Sequence, residues 1–361
     1  MSPRFARLLA APIAVLALVA GAAAAAPAAS ASITPACVWQ SLYLLDGWQS
    51  AQSDWNTGDP AYCVDDGVVY LSGSLKNPAN GNAEFAVLPP QALPTSNLFL
   101  DVYTYGGTVG QLTIDSDGAM SATGGSAAKY TSLAGISFPV AGAKLSPMLL
   151  LEGWVSAQNL YGTGDPSYAD INHIIYWTGS IRNPLDTGNT WDWGFDAAPP
   201  PDRCMDTFVY TYDGNVGELE NWPPSLPNQD KPQSVYETTV GTTWHTLFTS
   251  LAGISYPESG QAAWQPLALQ PGWSADNPYP PYCTSGDTPS YWVQDHVVYL
   301  SGEVAQNGTG GFFATLPAAA RPQHDLWLMT LGGYLHISPN GNMYSSSGSI
   351  SLGNISYQAS S

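Results

Sequence analysis

The dipeptide Gly-Trp occurs at Gly47-Trp48, Gly153-Trp154 and Gly272-Trp273, and each occurrence opens the same long pattern. A Pro-x-Tyr follows (Pro60-Ala61-Tyr62, Pro166-Ser167-Tyr168, Pro289-Ser290-Tyr291), then a Tyr-x-x-Gly (Tyr70 to Gly73, Tyr176 to Gly179, Tyr299 to Gly302). Each unit closes on a nearly constant phrase: SLAGISF from Ser132 to Phe138, SLAGISY from Ser250 to Tyr256, SLGNISY from Ser351 to Tyr357. Order and spacing hold over about a hundred residues, the size of an independent domain and too long for a solenoid coil or propeller blade. The chain is a triplication, with repeats over 38–140, 145–257 and 263–358.

Residues 1–31 stand apart. Arg4 and Arg7 precede an apolar run from Leu8 to Val19, and Ala29-Ser30-Ala31 offers a small-residue cleavage site, the layout of a secretory signal peptide. The expected location is therefore extracellular. The net charge of −19 repels phosphate backbones and anionic lipid, which argues against nucleic acid and membrane partners. Only 10% of residues are charged while 44% are hydrophobic, so the chain has ample surface to bury and is not disordered. Four cysteines, Cys37, Cys63, Cys204 and Cys283, suit an oxidising compartment and allow three pairings. A local Cys37–Cys63 bond would leave Cys204 and Cys283 to bridge the second and third repeats; reduced, buried thiols are the competing reading.

Every repeat reads as β. From Val68 to Leu75 the residues alternate, Val69, Leu71, Gly73 and Leu75 on one face and Val68, Tyr70, Ser72 and Ser74 on the other. The same alternation recurs around Tyr176 and Tyr299. The glycine on the apolar face predicts a large neighbour, with the Gly-Trp indole as the candidate. Trp48, Trp154 and Trp273 are accordingly expected in the cores. A hairpin is predicted at Leu112 to Met120 around Asp117-Gly118 and at Leu335 to Met343 around Asn340-Gly341, pairs that suit a two-residue turn. In the second repeat the proline-rich stretch from Asn221 to Lys231 predicts a loop instead. Short strands with frequent turn signals indicate three tandem antiparallel β-sandwiches, jelly-roll-like, joined by short connectors.

The third copy carries the whole string most clearly: Gly272-Trp273, Val298 to Val304, Leu316-Pro317 to Arg321-Pro322, and Leu335 to Asn342. This pattern resembles the C-terminal receptor-binding head domains of bacteriophage tail-fibre and baseplate proteins. The resemblance implies β-sandwich heads that associate as trimers and recognise host-surface saccharides. A signal peptide and the lack of a fibre shaft favour a free secreted protein using that module. Three copies in one chain suggest packing about an intrachain pseudo-threefold axis, with Tyr70, Tyr176 and Tyr299 as the inter-repeat face; beads on a string, or a homo-oligomer, are the alternatives.

Signals for chemistry are sparse. No nucleophile elbow, zincin helix or phosphate loop occurs. His173 and His296 align with Gly67, which points to a turn rather than a metal or catalytic site. Asp65, Asp170 and Asp295, like Asp115 and Asp117, read as turn residues before they read as calcium ligands. No cofactor or metal is expected. Thirteen tryptophans and twenty tyrosines suit stacking on sugar rings. The candidates for ligand contact are aromatics in variable stretches: Trp55, Tyr161, Tyr279 and Tyr282, with Trp191, Trp193 and Trp222 in the second copy. The expected function is non-enzymatic recognition of a glycan or cell-surface ligand. A polysaccharide hydrolase, which needs two facing carboxylates, and a purely structural extracellular protein are the alternatives.

Overall fold

Runs rich in Val, Ile, Tyr and Thr recur in each repeat, and they become strands because β-branched and aromatic side chains fit a half-buried pleated surface. In the computed structural model the described residues are 37–79, 81–151, 153–184, 198–221, 247–276 and 288–360, with the backbone of strands at 192–193, 195–196 and 235–239. Among them the only α-helices are two single turns, Gln52–Trp55 and Gln158–Tyr161, too short to leave a periodic signature. The segment 1–31 expected to be a signal peptide, Trp191, Trp222, Tyr279, Tyr282 and Cys283 lie outside the described residues.

In the first repeat a four-stranded antiparallel sheet runs in the order Gln40–Ser41, Ala61–Asp65, Val68–Ser72, Ser137–Pro139. It faces a seven-stranded sheet that includes Ser74–Lys76, Leu98–Thr104, Thr108–Ile114 and Ala119–Thr123. Val69, Leu71 and Phe138 of the smaller sheet meet Phe85, Leu100, Leu112 and Met120 of the larger in one core. The second repeat has the same four- and seven-stranded orders, and the third divides the larger sheet into three- and four-stranded pieces. Trp48 and Trp154 are 5% and 3% exposed, each within its core cluster. Trp48 donates its indole N–H to the Asn82 carbonyl at 2.9 Å. Trp273 is only half-buried, resting on Phe313 at the edge of the divided sheet.

The alternation from Val68 to Leu75 is real, but it spans two strands. Gly73, Gly179 and Gly302 adopt φ of +84°, +90° and +89°, and each ends a strand of the small sheet and begins one of the large sheet. The neighbour that excludes a side chain is the backbone of the preceding turn (Asp59-Pro60, Asp165-Pro166, Thr288-Pro289), not the Gly-Trp indole. The expectation for the tryptophan is thus corrected: the glycine is a corner where one chain passes between sheets.

The hairpins also differ in detail. At Asp117-Gly118 and Asn340-Gly341 only the glycine is left-handed, at φ +97° and +88°. The Asp115 N–H bonds Ala119 O and the Ser338 N–H bonds Asn342 O, so each loop holds three residues, with the Asp or Asn oxygen accepting from the residue two ahead. True two-residue turns fall instead at Asp66-Gly67, Asn172-His173 and Asp295-His296, where both positions have positive φ. That accounts for His173 and His296 as turn residues, with Asp170 Oδ1 accepting the His173 N–H at 3.1 Å. In the second repeat the hairpin persists: Asn215–Asn221 pairs with Val235–Thr239, and only the connection between them is lengthened.

Residues 35–361 form one compact unit. Tyr70, Tyr176 and Tyr299 come together with Val68, Ile174 and Val297, the face the repeat pattern predicts, and the Tyr70 and Tyr176 hydroxyls lie 3.3 Å apart. Burial, first of all, pushes these three phenols well above their ordinary range. At the mouth of the junction Asn172 Nδ2 donates to Asp66 and Gln294 Nε2 donates to the Asn172 carbonyl, each at 3.0 Å.

Three seams close the repeats into a ring. Between the first and second, Asn97 Nδ2 donates to Tyr161 O at 3.0 Å and Phe99 inserts among Tyr161, Tyr210 and Phe248. Between the second and third, Arg203 donates to Thr288 O and Ser290 Oγ at 2.8 and 3.0 Å. Between the third and first, Asn56 Nδ2 donates to Asp325 at 2.7 Å and Trp327 inserts beside Trp55 and Tyr103. Strand register makes Phe99 and Trp327 equivalent, so the same knob is used at two seams.

The repeated closing phrase supplies the socket. Gly253 faces Leu100, and Gly135 faces Leu328 so closely that a Cβ would come 2.6 Å from its Cδ2. At the remaining seam the glycine is replaced by Asn354 and the leucine by Thr207, and Asn354 Nδ2 donates to Thr207 Oγ1 at 3.0 Å. A larger residue on one side is matched by a smaller, polar one on the other. That pairing runs first to second, second to third and third to first, a head-to-tail contact that closes on itself.

Cys37 is disulfide-bonded to Cys63. Cys204 is also disulfide-bonded, with its partner outside the described residues.

Candidate functional site

Two of the proposed ligand-contact residues end the single helical turns. Trp55 is half-buried, its ring centroid 5.1 Å from Tyr130 and 5.8 Å from both Tyr105 and Trp327. Tyr161 is likewise half-buried, 4.7 Å from Phe248 and 5.3 Å from Phe99. Both therefore belong to aromatic clusters at the seams, and the two lie on different seams rather than in one shared site. Trp193 lies in the short strand Asp192–Trp193, which pairs with Val235–Thr239.

Trp55 nevertheless keeps one side open. It lines a cleft of about 630 Å³ in the first repeat together with Asp54, Lys76, Asn77, Pro78, Tyr105 and Lys129. Tyr105, which follows the long strand Leu98–Thr104, is 43% exposed and meets Trp55 edge-on at 80°. Lys129 holds its ammonium 5.3 Å above the Tyr105 ring centroid. Lys76 donates to Asp54 Oδ2 at 2.5 Å, and this hydrogen bond, then that from Ser53, holds the Asp54 carboxyl below its usual range. An aromatic corner flanked by an amide, an ion pair and a separate ammonium offers stacking and directional hydrogen bonds together.

The cleft is poorly equipped for glycoside hydrolysis. Asp54 is the one carboxylate among its lining residues, and its lowered pKa is the opposite of what a general acid needs. Asp65, Asp66 and Asp295 do converge at the mouth of the tyrosine junction, where burial, then the neighbouring Asp66 and Asp295 charges, raises the Asp65 pKa. The hollow they share is about 30 Å³, too small for a sugar.

The repeats provide an internal comparison. Register places Leu160, Arg182, Tyr212 and Leu247 of the second repeat where the first has Asp54, Lys76, Tyr105 and Lys129. Leu160 and Leu247 are 46% and 40% exposed, so the second repeat keeps a cation and a tyrosine at the corner but has leucines in place of Asp54 and Lys129. Tyr105, Lys76 and Lys129 were not singled out by sequence. Scarcity was the one signal that could have found them, since the chain has only four lysines and two of them line this cleft.

No protein-family model matches the chain, and neither the curated proteins nor the solved structures contain a match. No helix among the described residues is long and apolar enough to cross a membrane.

Proposed function

We propose that this chain is an exported, non-enzymatic recognition protein that binds a saccharide in the Trp55–Tyr105 cleft. The observation that carries the reading is the open aromatic corner beside Lys76, Asn77 and Lys129 on an otherwise tightly interlocked scaffold. A sugar ring would stack on Tyr105 and the exposed side of Trp55, while the amide and ammonium groups bind its hydroxyls. Export is supported by the basic-then-apolar start of the sequence and by a disulfide within the first repeat. The resemblance to phage receptor-binding heads points the same way.

The test is binding of immobilised oligosaccharides by the full chain and by Tyr105→Ala, an exposed position outside the buried seam cluster. The expected result is binding that weakens at least about tenfold in the variant, the loss of one stacking platform. Release of new reducing ends from a bound polysaccharide would instead establish a hydrolase. A wild-type chain that binds no saccharide would favour the structural reading, in which the aromatics serve only the seams.

A further inference from the structure

We infer that the saccharide taken by this cleft is acidic, with its carboxylate received by Lys129. This rests on the saccharide reading above and narrows it to a chemical class.

The scaffold does not require a cation at position 129. Lys129 immediately precedes Tyr130, whose ring packs inside the seam cluster. The equivalent residue is Leu247 before Phe248 in the second repeat and Gly348 before Ser349 in the third. The same backbone is thus built with an aliphatic residue or with no side chain at all. The repeat backbone forms without an ammonium here, and Lys129 pairs with no carboxylate among the described residues.

The two ammonium groups of the cleft are not alike. Lys76 is committed to Asp54 at 2.5 Å, and Asp54 is already the preferred partner of that charge. Lys129 has no ion pair among the described residues, and its ammonium rests on the face of Tyr105. A cation over an aromatic face at an exposed site gains little, roughly 0.5–1 kcal/mol, so it is free to accept a stronger partner. A carboxylate bound to it makes a charge-assisted hydrogen bond, about twice as strong as a neutral one. The carboxylate of a uronic acid is carried by the ring itself, so a ring that takes the ammonium's place on Tyr105 offers that ammonium its own charge as the new partner. The rest of the protein is strongly negative, which penalises polyanions at long range but little affects a single carboxylate at contact distance.

The experiment is titration calorimetry of the full chain with a neutral oligosaccharide ending in a single galacturonic acid and with its methyl ester, which removes the charge and keeps the sugar. The expected result is at least about tenfold tighter binding of the acid, a preference that shrinks as salt is raised. Lys129→Met should bind acid and ester alike, and Lys129→Arg should keep the preference. Equal wild-type affinity for acid and ester, or a preference that survives Lys129→Met, overturns this inference while leaving saccharide recognition standing. Failure of the protein to bind acidic and neutral oligosaccharides of any kind overturns both.

Discussion

The Thr207–Asn354 contact gives the sharpest test of how the repeats interlock, because the chain itself contains the alternative solution twice. Asn354→Gly removes three hydrogen bonds: Nδ2 to Thr207 Oγ1, Nδ2 to Gly253 O at 3.1 Å, and Ser255 N–H to Oδ1 at 2.7 Å. At about 1 kcal/mol each, the loss is partly offset by about 1 kcal/mol regained at a φ of +60°, where glycine is favoured, leaving about 2 kcal/mol. Thr207→Leu drives a larger side chain against Asn354 and leaves its amide short of an acceptor, at a cost of about 3 kcal/mol. If the two sites were independent the double variant would lose about 5 kcal/mol. The ring predicts otherwise, since the introduced leucine and glycine would face each other as Leu100 faces Gly253 and Leu328 faces Gly135. The double variant should lose only about 2 kcal/mol, a coupling of about 3 kcal/mol. Urea unfolding of the four proteins, followed by tryptophan fluorescence, measures it. Additivity within about 0.5 kcal/mol refutes the reasoning.

Two further outcomes follow from buried groups. Both oxygens of the Asp101 carboxyl are sealed from solvent without a hydrogen-bond partner among the described residues, and burial raises its pKa well above the usual value. The folded state therefore binds the extra proton: stability is full below the unfolded pKa near 4 and falls by up to about 1.4 kcal/mol per pH unit as pH rises toward the folded value. Phe208 and Met329 occupy the equivalent positions, so Asp101→Met should be more stable than wild type at neutral pH and should flatten this part of the melting-temperature profile. A profile that keeps the same slope removes Asp101 as its source. The Cys37–Cys63 bond closes a separation of 26 residues and should contribute about 3 kcal/mol, so Cys37→Ser/Cys63→Ser should lower the urea midpoint; an unchanged midpoint contradicts this.

Much of the architecture was legible because the repeat is its own alignment. The aromatic face of Tyr70, Tyr176 and Tyr299 could be assigned to an inter-repeat surface since three copies of an apolar, aromatic stripe must be covered by something. His173 and His296 could be read as turn residues because Gly67 shares their position. What was not legible depends on geometry that alternation cannot report. A strand that turns a corner at Gly73 keeps the same in–out pattern across the bend, so two strands in two sheets read as one. Trp55 and Tyr161 sit in segments that vary between copies, which reads as a binding loop; the structure shows that the variation also follows the seams, each with its own aromatic set. The Gly135–Leu328 and Asn354–Thr207 contacts join residues more than a hundred positions apart and involve ordinary residue types, so nothing local marks them. The ligand cleft was half visible: Trp55 was singled out, while Tyr105 and Lys129 needed the fold to bring them beside it.

Small-angle X-ray scattering of residues 35–361 tests the central claim most directly. A closed ring of three interlocked repeats predicts a radius of gyration of about 20 Å, that of one compact body of this length. Three separately tumbling repeats would give a value above about 25 Å and an elongated distance distribution, which would contradict the account.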